Sequence, residues 1–340
     1  MSRTYLNWLI GATPTRWWHD SADPAELEAA LARGASGVTT NPVLVAAAMR
    51  NNRERWRAAI AGAPARTDAS GRAEGLVQIA VTQAAASLEP AFGRSPDAGF
   101  VCAQVDPTRA GDRDCMTAMA RRMHTWAPNI AVKLPATAAG LDVLEDLVAG
   151  GITVTSTVSF TVPQVIAIAE RHRKGSARAR AAGLQPGRCF AVLMIGRLDD
   201  YLREVAHDSQ AALSEGDIRQ CGLAVAKRAY ALYREREYAA VLLVAALRGS
   251  YHLTELAGAD LIMSIHPSYQ GLFVSGDLPQ ETRFDCPVQE DVIDRLQSLP
   301  DFIRAYDPSG MSTEEFISYG ATQRTLSQFC ESWKQLENLR

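Results

Sequence analysis

Hydrophobic and polar residues along the chain form two kinds of segment that alternate. Short apolar runs rich in β-branched and aromatic residues are typical of buried strands, and longer stretches with apolar positions three and four apart are typical of helices. Eight runs predict strands: TRWWHD, GVTTN, GFVCAQVD, NIAVKLPA, ITVTSTVSF, RCFAVLMIGRLDD, AAVLLVAALR and DLIMSIHP. At least one segment with a helical pattern follows each of the first seven runs.

Strands that alternate with helices predict right-handed βαβ units and a parallel sheet. Eight such units predict an α/β fold of the closed (β/α)8 TIM-barrel type, and 340 residues suit one such domain with additions. An open doubly wound sheet is the alternative, but no G-x-G-x-x-G follows the first predicted strand. We therefore predict a single barrel domain over residues 1–340.

The pattern changes after about residue 275. Two segments in which polar and apolar residues mix predict helices joined by a turn: QEDVIDRLQSLPDFIRAYD and STEEFISYGATQRTLSQFCESWKQLENL. We interpret roughly 276–340 as a C-terminal helical part that supplies the last barrel helix and a cap on one end of the barrel.

Composition narrows the class of protein. With 47% hydrophobic residues the chain can bury a sizeable core, and a net charge of −3 argues against a general nucleic-acid binder. No apolar run is long enough to predict a membrane span, and the first residues, MSRTYLNWLIGATPTRWW, lack the pattern of a signal peptide. The six cysteines and six histidines are scattered without metal-ligand spacing. We therefore expect no metal, reduced thiols and a cytoplasmic protein.

One lysine stands in a segment that predicts a buried strand. Because side chains alternate along a strand, Lys133 shares with Ala131 and Pro135 the face that points into the barrel. Burial disfavours the charged amine and lowers its pKa, and a neutral amine can attack a carbonyl to form a Schiff base. The alternative is a structural ion pair, with Asp20 as the partner.

The same alternation predicts further polar side chains inside the barrel. They come from the first, second, third and fifth strands: Asp20, Thr39, Asn41, Gln104, Thr155 and Thr157. A barrel interior with this many polar groups indicates a functional site at one end of the strands.

Five segments then carry a resemblance to a known family. The sequences GVTTNP (37–42), GFVCAQVDP (99–107), VKLPAT (132–137), IGRLDDY (195–201) and AALRGSYHLTELAGADLIMSIHP (245–267) resemble, in this order, the strand motifs of the transaldolases. The resemblance covers about residues 15–270. It implies sugar phosphate substrates, chemistry without a cofactor because the lysine supplies the electron sink, and a homodimer as the candidate oligomer.

The resemblance implies a role for each matching residue. Lys133 would form the imine with a ketose, and Asp20 would take the proton of the C4 hydroxyl. Thr157 would hold a water that moves protons, with Gln104 beside it. The predicted substrate-binding residues are Asn41, Thr39, Thr155, Arg197 and Arg248, of which the two arginines would bind phosphate.

Several positions depart from the family pattern. Gln104 stands where the family usually has glutamate. Glutamine at this place resembles the fructose 6-phosphate aldolase branch, and it cannot act as a general acid or base. Val192 and Ala246 stand where serines flank the two arginines, Thr155 replaces an asparagine, and Met194 replaces a frequent aromatic residue. An aldolase that releases dihydroxyacetone or uses an unusual acceptor is therefore one alternative. A non-catalytic barrel that binds a sugar phosphate is another.

Several of these residues are also compatible with a purely structural role. Asp20 or Asn41 would suit the N-terminus of the helix that follows it, and Arg197 would suit an ion pair with Asp199 or Asp200. Arg248 is equally compatible with the end of a strand. The basic run RHRKGSARARAAGLQPGR is compatible with a solvated helix end or with a rim that attracts phosphate.

Overall fold

The predicted closed barrel is confirmed. A computed structural model describes residues 4–63, 69–275 and 278–339. All eight strands are parallel and pair in chain order, and β1 pairs with β8 to close the sheet. The strands are β1 Arg16–Asp20, β2 Val38–Thr39, β3 Val101–Gln104, β4 Ile130–Pro135, β5 Val154–Thr157, β6 Cys189–Leu193, β7 Val241–Val244 and β8 Ile262–Ile265.

Helices surround this barrel and extend beyond it. In the described part of the chain they are α1 Tyr5–Ala12, α2 Pro24–Ala32, α3 Pro42–Asn51, α4 Arg53–Ala61, α5 Ala69–Leu88, α6 Arg113–His124, α7 Ala138–Ala149, α8 Val162–Ala181, α9 Ile195–Asp208, α10 Glu215–Ile218, α11 Cys221–Glu235, α12 Ser250–Leu256, α13 Pro267–Ser275, α14 Glu290–Leu296, α15 Pro300–Tyr306 and α16 Gly320–Glu337. Short 3₁₀ turns span Glu89–Ala91, Pro107–Arg109 and Thr313–Ser318. The pattern did not predict α1.

Two strands end earlier than predicted, and both ends lie beside the candidate site. The sixth run continues past Leu193 into α9, so Arg197 lies on a helix and not on a strand. The seventh run stops at Val244, and Ala246 adopts a φ of 58°, which interrupts extended backbone. Arg248 consequently lies in the loop that precedes α12.

The C-terminal part differs from the two helices that its pattern predicts. The first is divided into α14 and α15, because Pro300 lacks a backbone N–H and occupies the first turn of a new helix. The second begins as the 3₁₀ turn Thr313–Ser318 and becomes α-helical only in α16. Residues 276 and 277 lie outside the described ranges.

Helix α16 packs over part of the carboxyl ends of the strands. It lies against α3 and α5 and contacts the 3₁₀ turn Pro107–Arg109 that follows β3. The ring of Phe329 lies 5.8 Å from the guanidinium carbon of Arg197 at the start of α9. The C-terminal part therefore contributes to the surroundings of the candidate site.

An aromatic cluster closes the barrel interior below that site. Trp18 and Phe190 are fully buried, with ring centroids 4.7 Å apart, and Phe100 packs 5.4 Å from Phe190. A Cβ on Gly37 would lie 2.4 Å from the Trp18 ring, so glycine is needed for this packing. These rings form an apolar layer in the barrel interior.

Candidate active site

A cavity of ≈ 220 Å³ opens at the carboxyl ends of the strands, where active sites of this fold lie. Seven of the nine predicted site residues line it: Asp20, Thr39, Asn41, Lys133, Thr157, Arg197 and Arg248. The other two, Gln104 and Thr155, are buried and face Lys133 from the adjoining strands, since both of their Cα atoms pair with that of Lys133. The structure thus brings all nine together.

Lys133 is 4% exposed and reaches the cavity from the middle of β4. Its Nζ donates to the backbone carbonyl of Thr40 at 3.0 Å, and among the described residues no carboxylate lies within 4.0 Å of it. The structure therefore contains no ion pair between Lys133 and Asp20.

The electrostatic surroundings of Lys133 favour the neutral amine. Desolvation lowers the pKa of Lys133 below its ordinary value of 10.5. Cys102 and Asp20 oppose this shift and Arg197 adds to it, but burial is the largest cause. Near neutral pH, the amine of Lys133 is therefore neutral, and so nucleophilic, in a larger fraction of molecules than the amine of an exposed lysine.

Asp20 ends β1 and receives a hydrogen bond from the neighbouring strand. Thr39 Oγ1 donates to Asp20 Oδ1 at 2.7 Å and lies 2.5 Å from Ser264 Oγ on β8. Since the single hydroxyl proton of Thr39 points to Asp20, Ser264 must donate to Thr39. Asp23, and not Asp20, caps α2, so the carboxylate of Asp20 is oriented for the cavity by two hydroxyl groups.

Two polar atoms next to Lys133 lack hydrogen-bond partners. Gln104 Oε1 and Thr157 Oγ1 are both buried and unpaired among the described residues. Thr155, in contrast, lies 3.4 Å from Cys102 Sγ through its hydroxyl. Buried polar groups are normally satisfied, so the two unpaired atoms mark places where polar groups of a ligand would be stabilised.

The side-chain amide of Asn41 has a structural bond and also lies at the cavity. Its Oδ1 accepts from the backbone N–H of Leu44 at 3.0 Å and caps α3, as the structural alternative predicts. The residue also lines the cavity, and its amide nitrogen has no partner among the residues that the structure describes. The cap fixes the amide so that its N–H groups remain available as donors.

The two arginines occupy one end of the cavity but differ in their partners. Arg197 forms no ion pair within the described ranges, and burial followed by the nearby charge of Arg248 lowers its pKa. Arg248 is held by Asp200, whose Oδ2 lies 2.8 Å from its Nε and 2.7 Å from its Nη2. The ion pair considered for Arg197 is thus made by Arg248.

Apolar residues occupy three of the positions that depart from the family pattern. Val192, Met194 and Ala246 all line the cavity near the arginines. Val192 and Ala246 each lack the hydroxyl donor that serine would supply, and the thioether of Met194 has no donor either. The two arginines therefore supply donors at this end of the cavity that Val192, Met194 and Ala246 cannot.

Three further polar residues of the cavity were not predicted as site residues. Ser264 lies on the inward side of β8, His266 directly follows this strand, and Tyr269 lies on α13. Strand alternation applied to DLIMSIHP would have indicated Ser264. No sequence signal indicates Tyr269, because its position depends on how α13 packs.

The basic run on α8 does not reach the cavity. Arg171 pairs with Asp142 and Glu145, and Arg178 pairs with Glu145 and Asp146, all on α7. The run is a solvated, ion-paired helix surface, as the simpler interpretation predicts.

The described residues contain no group of three or more His, Cys, Asp or Glu side chains in a metal-binding arrangement. Every helix within the described ranges is too short or too polar to cross a membrane.

A buried lysine that shares a cavity with a carboxylate and two arginines, at the carboxyl end of a (β/α)8 barrel, is the arrangement of an aldolase-type enzyme. Residues 17–340 match the model of the Transaldolase/Fructose-6-phosphate aldolase family. The chain belongs to this family, which confirms the predicted resemblance.

Individual relatives extend the same comparison. The chain is 28% identical over 297 residues to "Transaldolase" of Thiobacillus denitrificans, which covers 84% of this chain and 82% of the relative. It is 27% identical over 240 residues to "Probable transaldolase" of Dehalococcoides mccartyi, covering 70% and 80%. With "Transaldolase 1" of Streptomyces avermitilis it shares 30% identity over 213 residues, covering 58% and 54%.

Proposed function

We propose that this protein transfers a dihydroxyacetone unit from a ketose phosphate to an aldehyde through an imine on Lys133. Its family supports an enzyme of the transaldolase type. The observation that carries the proposal is Lys133, a buried amine in the cavity whose bonded partner is a backbone carbonyl. An amine held in this way for structure alone would be costly.

The proposed reaction begins at the neutral amine of Lys133. The amine adds to the ketose carbonyl, water leaves, and the protonated imine becomes an electron sink. Asp20 takes the proton of the C4 hydroxyl, the C3–C4 bond breaks, and an aldehyde departs while the enamine stays on Lys133. The enamine then adds to an acceptor aldehyde, and water releases the new ketose.

The surrounding residues have supporting roles in this proposal. Asn41 donates to dihydroxyacetone hydroxyls, and Thr39 acts through Asp20, to which it already donates. Thr157 and Gln104 offer the two unpaired atoms that position a water during imine formation. Arg197 and Arg248 bind the substrate phosphate. A direct substrate contact of Thr155, a cytoplasmic location and a homodimer stay predictions.

An aldolase that releases free dihydroxyacetone is the second candidate. Gln104 favours it because glutamine cannot transfer protons as glutamate would, and Val192 and Ala246 favour it because they remove hydroxyl groups from the arginine end of the cavity. Turnover of fructose 6-phosphate is measured with and without erythrose 4-phosphate, and borohydride-trapped adducts are read by peptide mass spectrometry. Turnover that requires the acceptor supports transfer, and unchanged turnover supports the aldolase. No adduct on Lys133 with any ketose tested supports the non-catalytic binding barrel.

The pH dependence of imine formation follows from the lowered pKa of Lys133. Only the neutral amine attacks, so the rate rises with pH and reaches a plateau above the pKa. Because burial lowers this pKa, we expect the midpoint below 10.5. The check is the initial rate of cyanoborohydride trapping with dihydroxyacetone across pH. A rate that still climbs steadily through 10.5 would contradict the expected shift.

Replacement of Ser264 tests the hydroxyl pair that orients Asp20. In Ser264→Ala, the hydroxyl oxygen of Thr39 no longer accepts a hydrogen bond from residue 264. The hydroxyl proton of Thr39 is then no longer directed to Asp20 alone. We expect kcat for cleavage of fructose 6-phosphate to fall about 5- to 10-fold, the effect of one net hydrogen bond, with trapping of dihydroxyacetone unchanged. Ser87→Ala on the surface of α5 is the control. An equal loss of trapping would show that Ser264 supports the whole cavity instead.

A further inference from the structure

A fully buried histidine–aspartate pair lies directly behind the arginine end of the cavity. His252 Nε2 is 2.9 Å from Asp199 Oδ2, and both side chains are 0% exposed. His252 Nδ1 is 3.1 Å from the backbone nitrogen of Arg248. Neither His252 nor Asp199 lines the cavity.

The hydrogen bonds of His252 fix its tautomer. A backbone N–H can only donate, so Nδ1 of His252 is the acceptor of the bond from Arg248. Nε2 therefore carries the ring proton and donates to Asp199. The other oxygen of Asp199, Oδ1, accepts from the backbone N–H of Gly222 at 2.8 Å, so the carboxylate is anchored on both sides.

This pair connects the two segments that carry the arginines. Asp199 lies two residues after Arg197 on α9, and His252 lies four residues after Arg248 on α12. The segments also touch directly, because a Cβ on Gly196 would lie 2.0 Å from the carbonyl oxygen of Ala246. The carbonyl of Ala246 in turn accepts from Arg248 Nη1 at 2.9 Å.

The side chain and the backbone of Arg248 are thus held by neighbouring residues of one helix. Asp200 binds the guanidinium directly, and Asp199 binds the backbone through His252. In contrast, Arg197 has no ion-pair partner in the described part of the chain. The distance between the two guanidinium groups depends on how firmly the Arg248 loop is attached to α9.

We infer that Asp199 and His252 are positioning residues that hold Arg248 at the spacing from Arg197 needed to bind one phosphate group. This inference rests on the proposed function, because it concerns the phosphate end of the same cavity. The bonds that carry it are the ring–carboxylate contact and the bond from the Arg248 backbone.

Two substitutions of His252 separate positioning from stability. The Oδ1 atom of asparagine matches the place of Nδ1, and the Nε2 atom of glutamine matches the place of Nε2. His252→Asn therefore keeps the acceptor for Arg248 and loses the contact with Asp199. His252→Gln keeps the partner of the buried carboxylate, and so the fold, but leaves the Arg248 backbone N–H without its acceptor.

The experiment measures binding apart from chemistry. Calorimetric titration with fructose 6-phosphate, in the background of Lys133→Met, gives affinity without imine formation. We expect both His252→Gln and His252→Asn to raise Kd about 10-fold, because each breaks one of the two bonds that connect Asp199 with the Arg248 backbone. Trapping of dihydroxyacetone in the same variants with Lys133 intact should stay at the wild-type level, because that ligand has no phosphate. His207→Gln, exposed near the end of α9, is the control.

A merely structural pair gives a different pattern. His252→Asn would then lower the melting temperature, since Asp199 loses its ring partner, while neither variant would change Kd for fructose 6-phosphate. That result, or an equal loss of dihydroxyacetone trapping, would overturn the inference. Failure of the proposed function is seen separately, as the absence of any adduct on Lys133 in the otherwise unaltered protein.

Discussion

Lys133→Met is expected to abolish turnover of fructose 6-phosphate, with a loss on the order of 10⁴-fold or more. Methionine has a similar volume and fits the apolar neighbours of Lys133 on β4, but it has no amine to add to a carbonyl. Borohydride trapping should then leave no three- or six-carbon adduct on the peptide that contains residue 133. Residual turnover together with an adduct on another lysine would contradict the proposed mechanism.

The same variant distinguishes a catalytic amine from a structural one. Removing one member of a buried ion pair costs about 3–5 kcal/mol, because a charge is left unpaired. Within the described ranges Lys133 has only the Thr40 carbonyl as a hydrogen-bond partner, so we expect Lys133→Met to unfold at no lower temperature than the wild type. Loss of activity with retained or increased stability is typical of functional residues.

Lys227→Met supplies the matched control for this variant. Lys227 is the second lysine whose pKa burial lowers, but it bonds to Glu255 and to the carbonyls of Arg283 and Cys286, outside the cavity. We expect its replacement to reduce stability and to leave the adduct on Lys133. We therefore expect opposite results: Lys133→Met removes the adduct and keeps stability, and Lys227→Met keeps the adduct and reduces stability.

Strand alternation predicted the interior of the barrel because its period is fixed by the backbone. The structure pairs Lys133 with Gln104 on one side and with Thr155 on the other, and all three had been assigned to the inward face, strand by strand. The eightfold repetition of strand and helix was equally readable, since a parallel sheet requires a crossover after each strand.

Contacts between loops and helices were less predictable. The sequence RLDD suggested a partner for Arg197, yet the helix that begins at Ile195 turns Asp200 toward Arg248. Strand periodicity could not predict this, because the run was assigned to β6 beyond its actual end. The position of Phe329 beside Arg197 likewise depends on the path of α16 across the barrel, which no local pattern encodes.

Asp20→Asn is expected to stop the reaction after imine formation. Asparagine keeps the shape of the side chain and an oxygen that accepts from Thr39, but it cannot take the proton of the C4 hydroxyl. Because general base catalysis contributes about 10²–10⁴-fold, we expect cleavage of fructose 6-phosphate to fall by that amount. Trapping should then recover a six-carbon adduct on Lys133, where the wild type gives a three-carbon one.

The size of the trapped adduct makes the roles of Asp20 and Lys133 separable. Lys133→Met removes every adduct, and Asp20→Asn should change only which adduct accumulates. Asp23→Asn is the control, since Asp23 caps α2 three residues further on and asparagine is an equally good cap. If Asp20→Asn cleaved fructose 6-phosphate at the wild-type rate, another group would have to accept the C4 proton. His266 would then be the first residue to replace, because it lines the same cavity.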